Sequence, residues 1–198
     1  MNFFRWTLCF VCVGVLFVSC KSDSKKEGDQ IEANVPAKEE VVAVKQDLND
    51  KNLLVKTMST PEAKVFTSAL VTTGLTDLLN ADGPYTIFAP SSEAFDGVNK
   101  TKLNFYLNPE NKEAFTQLVR NHIVGVDMSS ADLLQAVRKN KNYELETLGG
   151  AVLKVSVKDG NLFLTDAQGN EASLGKTDIL ASNGKLHIIG NVLSVNAK

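Results

Sequence analysis

The chain has few of the residues on which disulfides, metal centres and acid–base sites depend. Its 198 residues include three cysteines, two histidines and one tryptophan. Cys9 and Cys12 lie in an N-terminal apolar segment and Cys20 ends it, so no cysteine is left in the remaining chain for a disulfide or a thiolate metal site. A domain without such crosslinks depends on its apolar core, which requires more than about 70 to 80 residues.

An excess of positive charge is also lacking. The formal net charge is −2 at pH 7, from 21 basic and 23 acidic side chains that alternate along the chain without long blocks of one sign. Proteins that bind nucleic acid through its phosphates need a basic surface. No nucleic acid partner is therefore expected.

Sequence patterns of common enzymes are absent or incomplete. The chain contains neither GxSxG nor HExxH. The segment GNEASLGKT ends like a phosphate-binding loop, but five residues separate Gly169 from Gly175 where that loop has four. Ser182, His187 and Asp178 are the residue types of a hydrolase triad, yet side chains this close on one strand and its turn rarely converge on one point. No enzyme activity, metal site or cofactor is therefore expected.

The N-terminus has the pattern of an export signal. Residues 1–19 combine a basic Arg5 with an apolar run, and Val18 and Ser19 precede Cys20. Cys20 in this context resembles the lipid-bearing cysteine of bacterial lipoproteins. The resemblance implies a membrane lipid anchor at Cys20 and a place in the bacterial cell envelope, at the outer membrane and facing the periplasm or the outside. An ordinary secretory signal and an uncut N-terminal anchor are the alternatives.

The next segment, residues 20–48, differs in composition from both of its neighbours. It is highly charged, poor in aromatic residues and interrupted by Gly28 and Pro36. Such a composition cannot bury enough apolar surface to fold, so the segment is predicted to be a disordered tether. Residues 49–198 are long enough for one globular domain of ordinary size.

Helical patterns dominate the first half of this domain. One helix is bracketed by Pro61 and Gly74, a second begins at Asn108, and a third begins at Ser129, with Asp132 at the spacing of a capping box. Apolar residues at helical spacing give the first of these helices a core-facing side; they are Val65, Phe66, Ala69 and Leu70.

Strand patterns dominate the second half. Residues 145–174 alternate apolar and polar positions around Asp159-Gly160, a dipeptide typical of tight hairpins, and Asn183-Gly184 is a further turn signal. One earlier strand, residues 84–90, lies among the helices and must join a later sheet. Helices followed by strands predict an α+β domain rather than alternating βαβ units.

Three segments resemble the motifs of fasciclin domains. GPYTIFAPSSEAF at residues 83–95, NHIV at 121–124 and DILASNGKLHIIGNVL at 178–193 are similar to the first box, the central histidine motif and the second box, in the order of the family. The resemblance extends over roughly residues 49–195. It implies a β-wedge fold, in which twisted, sandwich-like sheets pack with helices, and an adhesive or partner-binding role at a cell surface without catalysis.

The resemblance also implies that the residues of these motifs are mostly structural. They are Thr86, Phe88, Ala89, Pro90, Phe95, His122, Asn183, Gly184 and His187. His122 aligns with the histidine of the central motif, and Asn121 replaces the aromatic or aliphatic residue that is common before it. His187 lies in an apolar run, so a buried, neutral imidazole with a satisfied ring nitrogen is expected.

A candidate contact surface consists of Lys176, Asp178 and Ile179. Adhesive segments of animal relatives have an Asp-Ile pair at this place, so the resemblance implies an exposed surface that binds a protein or glycan, with a second copy of the chain among the partners considered. In the alternative interpretation, Ile179 is a core residue and Asp178 caps a turn. A different alternative for the domain is a small-ligand-binding or hydrolytic site in a cleft near His122.

Overall fold

The computed structural model describes residues 51–193, which hold seven α-helices, two 3₁₀ turns and eight strands. The signal peptide, the lipidated Cys20 and the tether of residues 20–48 lie outside the described residues and stay predictions. Among the helices of the described range, none combines the length and the apolar character that a bilayer crossing needs.

Helices fill most of the first half and strands most of the second, so the predicted α+β class is confirmed. The helices are α1 (Leu53–Ser59), α2 (Lys64–Thr73), α3 (Thr76–Asn80), α4 (Ser92–Asp96), α5 (Lys100–Leu107), α6 (Lys112–Arg120) and α7 (Ser130–Lys139), with 3₁₀ turns at Pro61–Ala63 and Pro109–Asn111. The strands are β1 (Tyr85–Pro90), β2 (Ile123–Val124), β3 (Tyr143–Glu146), β4 (Val152–Lys158), β5 (Asn161–Thr165), β6 (Glu171–Ser173), β7 (Ile179–Ala181) and β8 (Gly184–Ile189).

Local signals account for several helix ends. Ser129 Oγ accepts a hydrogen bond from Asp132 N at 3.1 Å, and the Asp132 carboxylate accepts one from Ser129 N at 2.9 Å, which completes the capping box of α7. The side chain of Asn108 accepts from Glu110 N at 3.0 Å in the turn before α6. Gly74, with φ of 75°, ends α2 in the left-handed conformation. These predicted helix boundaries are confirmed.

Two four-stranded sheets form within residues 51–193, in the orders β2-β1-β8-β7 and β3-β4-β5-β6. In the first sheet, β1 and β8 run parallel at the centre, with Phe88 opposite His187. The second sheet is antiparallel, and Asp159 and Gly160 form its β4–β5 turn with φ of 50° and 81°, as the predicted hairpin requires. Because β1 and β8 come from the two fasciclin-like boxes, the boxes are neighbours in space although they are distant in the chain.

The first sheet separates two apolar clusters. Ile87 belongs to a cluster with α1, α2 and α6, and the next residue, Phe88, belongs to a cluster with α7 and the second sheet, since successive residues of a strand face opposite sides. The two central strands are therefore buried on both faces. Every polar group on them must find its partner inside the protein.

Candidate functional site

His187 lies on β8 at the centre of the first sheet, and its side chain is fully buried. Its Nε2 is 2.9 Å from Met128 O and its Nδ1 is 3.2 Å from Asp178 N. A carbonyl accepts and a backbone N–H donates, so the proton is on Nε2 and Nδ1 accepts. The ring stacks on Phe88 with 5.5 Å between centroids and 20° between planes. Burial lowers the pKa of His187 below 6.5, so the imidazole is neutral near pH 7.

His122 is the other buried imidazole, and it has the opposite tautomer. Its Nδ1 donates to Leu118 O at 2.9 Å and its Nε2 accepts from Leu193 N at 3.1 Å. The ring meets Phe66 edge-on, with 5.8 Å between centroids. The carbonyl of His122 accepts from Phe88 N at 2.8 Å, which connects this residue to β1. Burial lowers the pKa of His122 to about 4.

In both rings, each nitrogen already has a backbone partner. Neither imidazole therefore has a nitrogen free to take a proton from a substrate or to bind a metal ion. Among residues 51–193, no group of three or more His, Cys, Asp or Glu side chains is arranged to hold a metal. The void that His122 shares with Phe66 and Phe95 has no room for a water molecule, so the His122 ring itself does not face a space that could hold a substrate.

Asp178 joins the loop before β7 to helix α7. Its carboxylate accepts hydrogen bonds from Ser130 N at 2.8 Å and from Ser130 Oγ, and its backbone N–H donates to His187. Burial alone raises the pKa of Asp178, but the hydrogen bonds from Ser130 outweigh it, and the net pKa lies below the usual 3.8. Asp178 has a positive φ of 60°, and its side chain stays partly exposed.

The other two residues of the candidate contact surface differ in exposure. Lys176 is exposed and forms an ion pair with Glu62 at 3.3 Å. Ile179 is partly buried and packs against the cluster that contains Ile87. The structure thus brings Lys176, Asp178 and Ile179 to one short segment, where Lys176 is the most accessible of the three. Partner binding by this segment stays a prediction.

Asn183 is a junction of three segments in the turn between β7 and β8. Its Oδ1 accepts from Leu53 N at 2.8 Å, and its Nδ2 donates to Leu79 O at 2.9 Å and to Ala81 O at 2.8 Å. Its backbone carbonyl accepts from Tyr85 N at 3.0 Å. An asparagine amide supplies both one acceptor and two donors, so this side chain ties α1 and α3 to the second box.

Thr86 and Gly184 fix the beginning of the central strand pair. Thr86 is buried, and its Oγ1 donates to Val126 O at 2.6 Å and accepts from Met128 N at 2.9 Å. Gly184 has φ of 150°, and a Cβ added there would lie 1.8 Å from Tyr85 O. The position therefore requires glycine because β1 approaches β8 too closely for any side chain.

The remaining motif residues fill space at the end of β1. Ala89 and Pro90 are buried. Ser91 Oγ then accepts from Ala94 N at 3.2 Å as the N-cap of α4. This cap directs the short helix so that Phe95, 8% exposed, enters the first apolar cluster.

Two features of the structure have little or no signal in the sequence. Asn121, noted only as a departure from the family pattern, is buried and accepts a hydrogen bond from Thr147 Oγ1 at 3.2 Å. A cavity of about 440 Å³, with Lys102 and Tyr106 among its lining residues, is bounded by α2, α4, α5, α6 and the segments at the start of β6 and after β8. Its walls come from separate segments, so no single periodic pattern marks it.

These observations define an α+β domain whose two motif strands lie side by side and whose histidines connect buried backbone segments. The sequence model of the fasciclin domain family matches residues 61–195. This chain therefore belongs to the fasciclin domain family.

Relatives of the chain come from bacteria and animals. It is similar to protein sll1483 of Synechocystis, with 30% identity over 126 residues, or 64% of this chain and 63% of the relative. It is also similar to the transforming growth factor-beta-induced protein ig-h3 of Sus scrofa, with 32% identity over 126 residues, or 64% of this chain and 17% of the relative. The matches thus span less than two thirds of these relatives' lengths.

A solved structure confirms the fold. The structure of a FAS1 domain pair from the insect cell adhesion molecule Fasciclin I superposes with a TM-score of 0.58 at 21% identity, over 70% of this chain and 47% of that chain. At this identity the likeness establishes the fold alone.

Proposed function

We propose that this chain binds a protein or glycan partner at a bacterial cell surface through its fasciclin domain, without turnover, while a lipid on Cys20 holds it in the cell envelope. The observation that carries the proposal is the hydrogen bonding of the two histidine rings. Each ring nitrogen has a backbone partner, so the central polar groups hold the fold and leave function to the surface. Membership of the fasciclin domain family, whose model matches residues 61–195, supports the same interpretation.

Binding to cells tests this proposal directly. Fluorescently labelled protein is added to intact bacterial cells that express the chain, and bound fluorescence is measured against concentration. We expect saturable binding. Its loss after protease treatment of the cells identifies a protein partner, and its loss after periodate oxidation identifies a glycan. Binding that rises linearly without saturation would contradict the proposal.

The segment with Lys176, Asp178 and Ile179 is the proposed contact surface. Lys176→Glu is the sharpest variant, because this side chain is exposed and its ion pair with Glu62 is a surface pair worth little to stability. We expect weaker cell binding, with only a small loss of melting temperature from the repulsion between the new carboxylate and Glu62. The control is Lys154→Glu on β4, whose side chain is 67% exposed. Equal cell binding by Lys176→Glu and Lys154→Glu would show that this segment is not part of the contact surface.

Attachment through Cys20 has a separate test. Anchoring places many copies at one membrane, so weak individual contacts gain from a high effective concentration. Cys20→Ser should move the protein from the membrane fraction to the soluble fraction. Continued membrane association of this variant would count against the lipid anchor while leaving partner binding untouched. Sedimentation velocity at rising concentration then tests whether the partner is a second copy.

A further inference from the structure

The cavity beside α5 has the size and lining of a small-molecule site. Its volume of about 440 Å³ lies within the ~300 to 1,000 Å³ of known ligand pockets. Much of its wall is apolar and includes Val65, Leu103, Phe115 and Leu118.

Apolar side chains surround the opening of this cavity. Val65 is 39% exposed and Leu107 is 57% exposed, and both line the cavity. The sequence pattern had placed Val65 on the core-facing side of α2, and the structure shows it at the opening instead. Covering such residues with an apolar molecule removes them from water and stabilises the complex.

A cationic side chain on the lining, Lys102, gives the cavity a preference for an anionic ligand. Tyr106 also lines the cavity, but its hydroxyl is buried away from solvent, so it is not available to a ligand. Lys102 is partly exposed and forms no ion pair with any described residue. The carboxylate on the lining, Glu171, is already paired with Lys158 at 2.5 Å.

We propose that this cavity binds a small apolar carboxylate, such as a medium-chain fatty acid. The hydrocarbon body packs among Val65, Leu103 and Leu118, and the carboxylate pairs with Lys102. A neutral hydrocarbon makes no use of the lysine, and an apolar cation is repelled by it. The site is distinct from the proposed contact surface, so its failure would leave the adhesive function unaffected.

Isothermal titration of the full chain with dodecanoate, below its micelle concentration, tests the site. We expect saturable binding of one dodecanoate molecule per chain, in this cavity. Dodecyltrimethylammonium, which has the same chain length and the opposite charge, should bind at least tenfold more weakly. Lys102→Gln should weaken dodecanoate binding about three- to fivefold, as expected for a partly exposed ion pair, while Lys100→Gln on the same helix should not change it.

Filling the cavity separates this site from binding elsewhere on the chain. Leu103→Trp places a larger side chain on the wall, and Val65→Trp places one at the opening, where 39% exposure leaves room for it without repacking the core. Each variant that keeps the native circular dichroism spectrum should lose at least tenfold in affinity. Dodecanoate affinity that survives Val65→Trp, equal binding of the cationic analogue, or the absence of saturable binding to the unmodified chain would overturn the proposal.

Discussion

The region around the two histidines and the region around Tyr106 differ in how completely their polar groups are satisfied. Both nitrogens of His122 and of His187 have backbone partners within 3.2 Å. The Tyr106 hydroxyl has none, and it belongs to a residue that lines a cavity of about 440 Å³. Buried polar groups in native proteins are nearly always paired. The histidine region follows this rule, so its polar groups serve to stabilise the fold. The second region contains a buried polar group that the fold leaves unpaired.

The largest difference in stability between variants of the two regions is expected when an aromatic side chain is removed. Phe88 is fully buried and stacks on His187, so Phe88→Ala should lower the free energy of unfolding by about 3 to 5 kcal/mol. Phe105→Ala, on the helix beside the cavity, removes a ring that is 41% exposed and should cost less than about 1.5 kcal/mol. Urea unfolding measures both. Equal losses would contradict the full burial of Phe88.

The histidine region should also make stability depend on pH. The pKa of His122 is lowered from 6.5 to about 4 in the fold, so between these values the unfolded chain binds the proton and the folded chain does not. Stability is therefore fully present above pH 6.5 and falls as the pH decreases toward 4, by about 3 kcal/mol at ~1.4 kcal/mol per pKa unit. The lowered pKa of His187 acts in the same direction.

The variant His122→Gln isolates this effect. Urea unfolding of the native chain and of the variant between pH 4 and 7.5 should give a difference in stability that shrinks as the pH falls, because the variant lacks the group that titrates. A constant difference across this range would show that His122 is not kept neutral by burial.

Two glycines offer a smaller, matched test of close packing in the first sheet. Gly184→Ala places a Cβ 1.8 Å from Tyr85 O, whereas at Gly150, with φ of 78°, an added Cβ meets nothing within 4 Å. We expect a loss of about 3 kcal/mol at Gly184 and about 1 kcal/mol at Gly150, where only the left-handed conformation is unfavourable. Thermal unfolding of the pair checks the order. A larger loss at Gly150 would refute the close approach of β1 and β8.

The smallest effect is expected in the cavity region. Tyr106→Phe removes a buried hydroxyl without a partner, so the free energy of unfolding should stay the same or rise by up to about 1 kcal/mol. Urea unfolding without added ligand measures it. A loss greater than about 1 kcal/mol would mean that the hydroxyl is bonded in solution and that this region is as complete as the other.

Signals that lie within a few residues predicted much of the fold. The Ser129–Asp132 capping box, the Asn108 cap and the Asp159-Gly160 turn are each formed by neighbours in the chain, so residue type and spacing determine them. The separate strand at residues 84–90 was also predicted, because prolines bracket it.

Contacts between distant segments could not be predicted in the same way. Asn183 bonds to Leu79, 104 positions earlier, and Thr86 bonds to Val126, 40 positions later. Short α1 and α5 lack strong periodic patterns and take their form from packing. The partner of each histidine nitrogen and the cavity lining likewise depend on which segments meet in three dimensions.

The tautomers of the two histidines test the central claim most directly, that both imidazoles are neutral parts of the scaffold. Nitrogen-15 NMR of histidine-labelled protein between pH 4 and 8 reports the protonation of each ring nitrogen. The account predicts a proton on Nδ1 of His122 and on Nε2 of His187, with neither ring becoming charged until the pH falls below 6.5. A ring that titrates at or above pH 6.5, or that carries its proton on the other nitrogen, would contradict it.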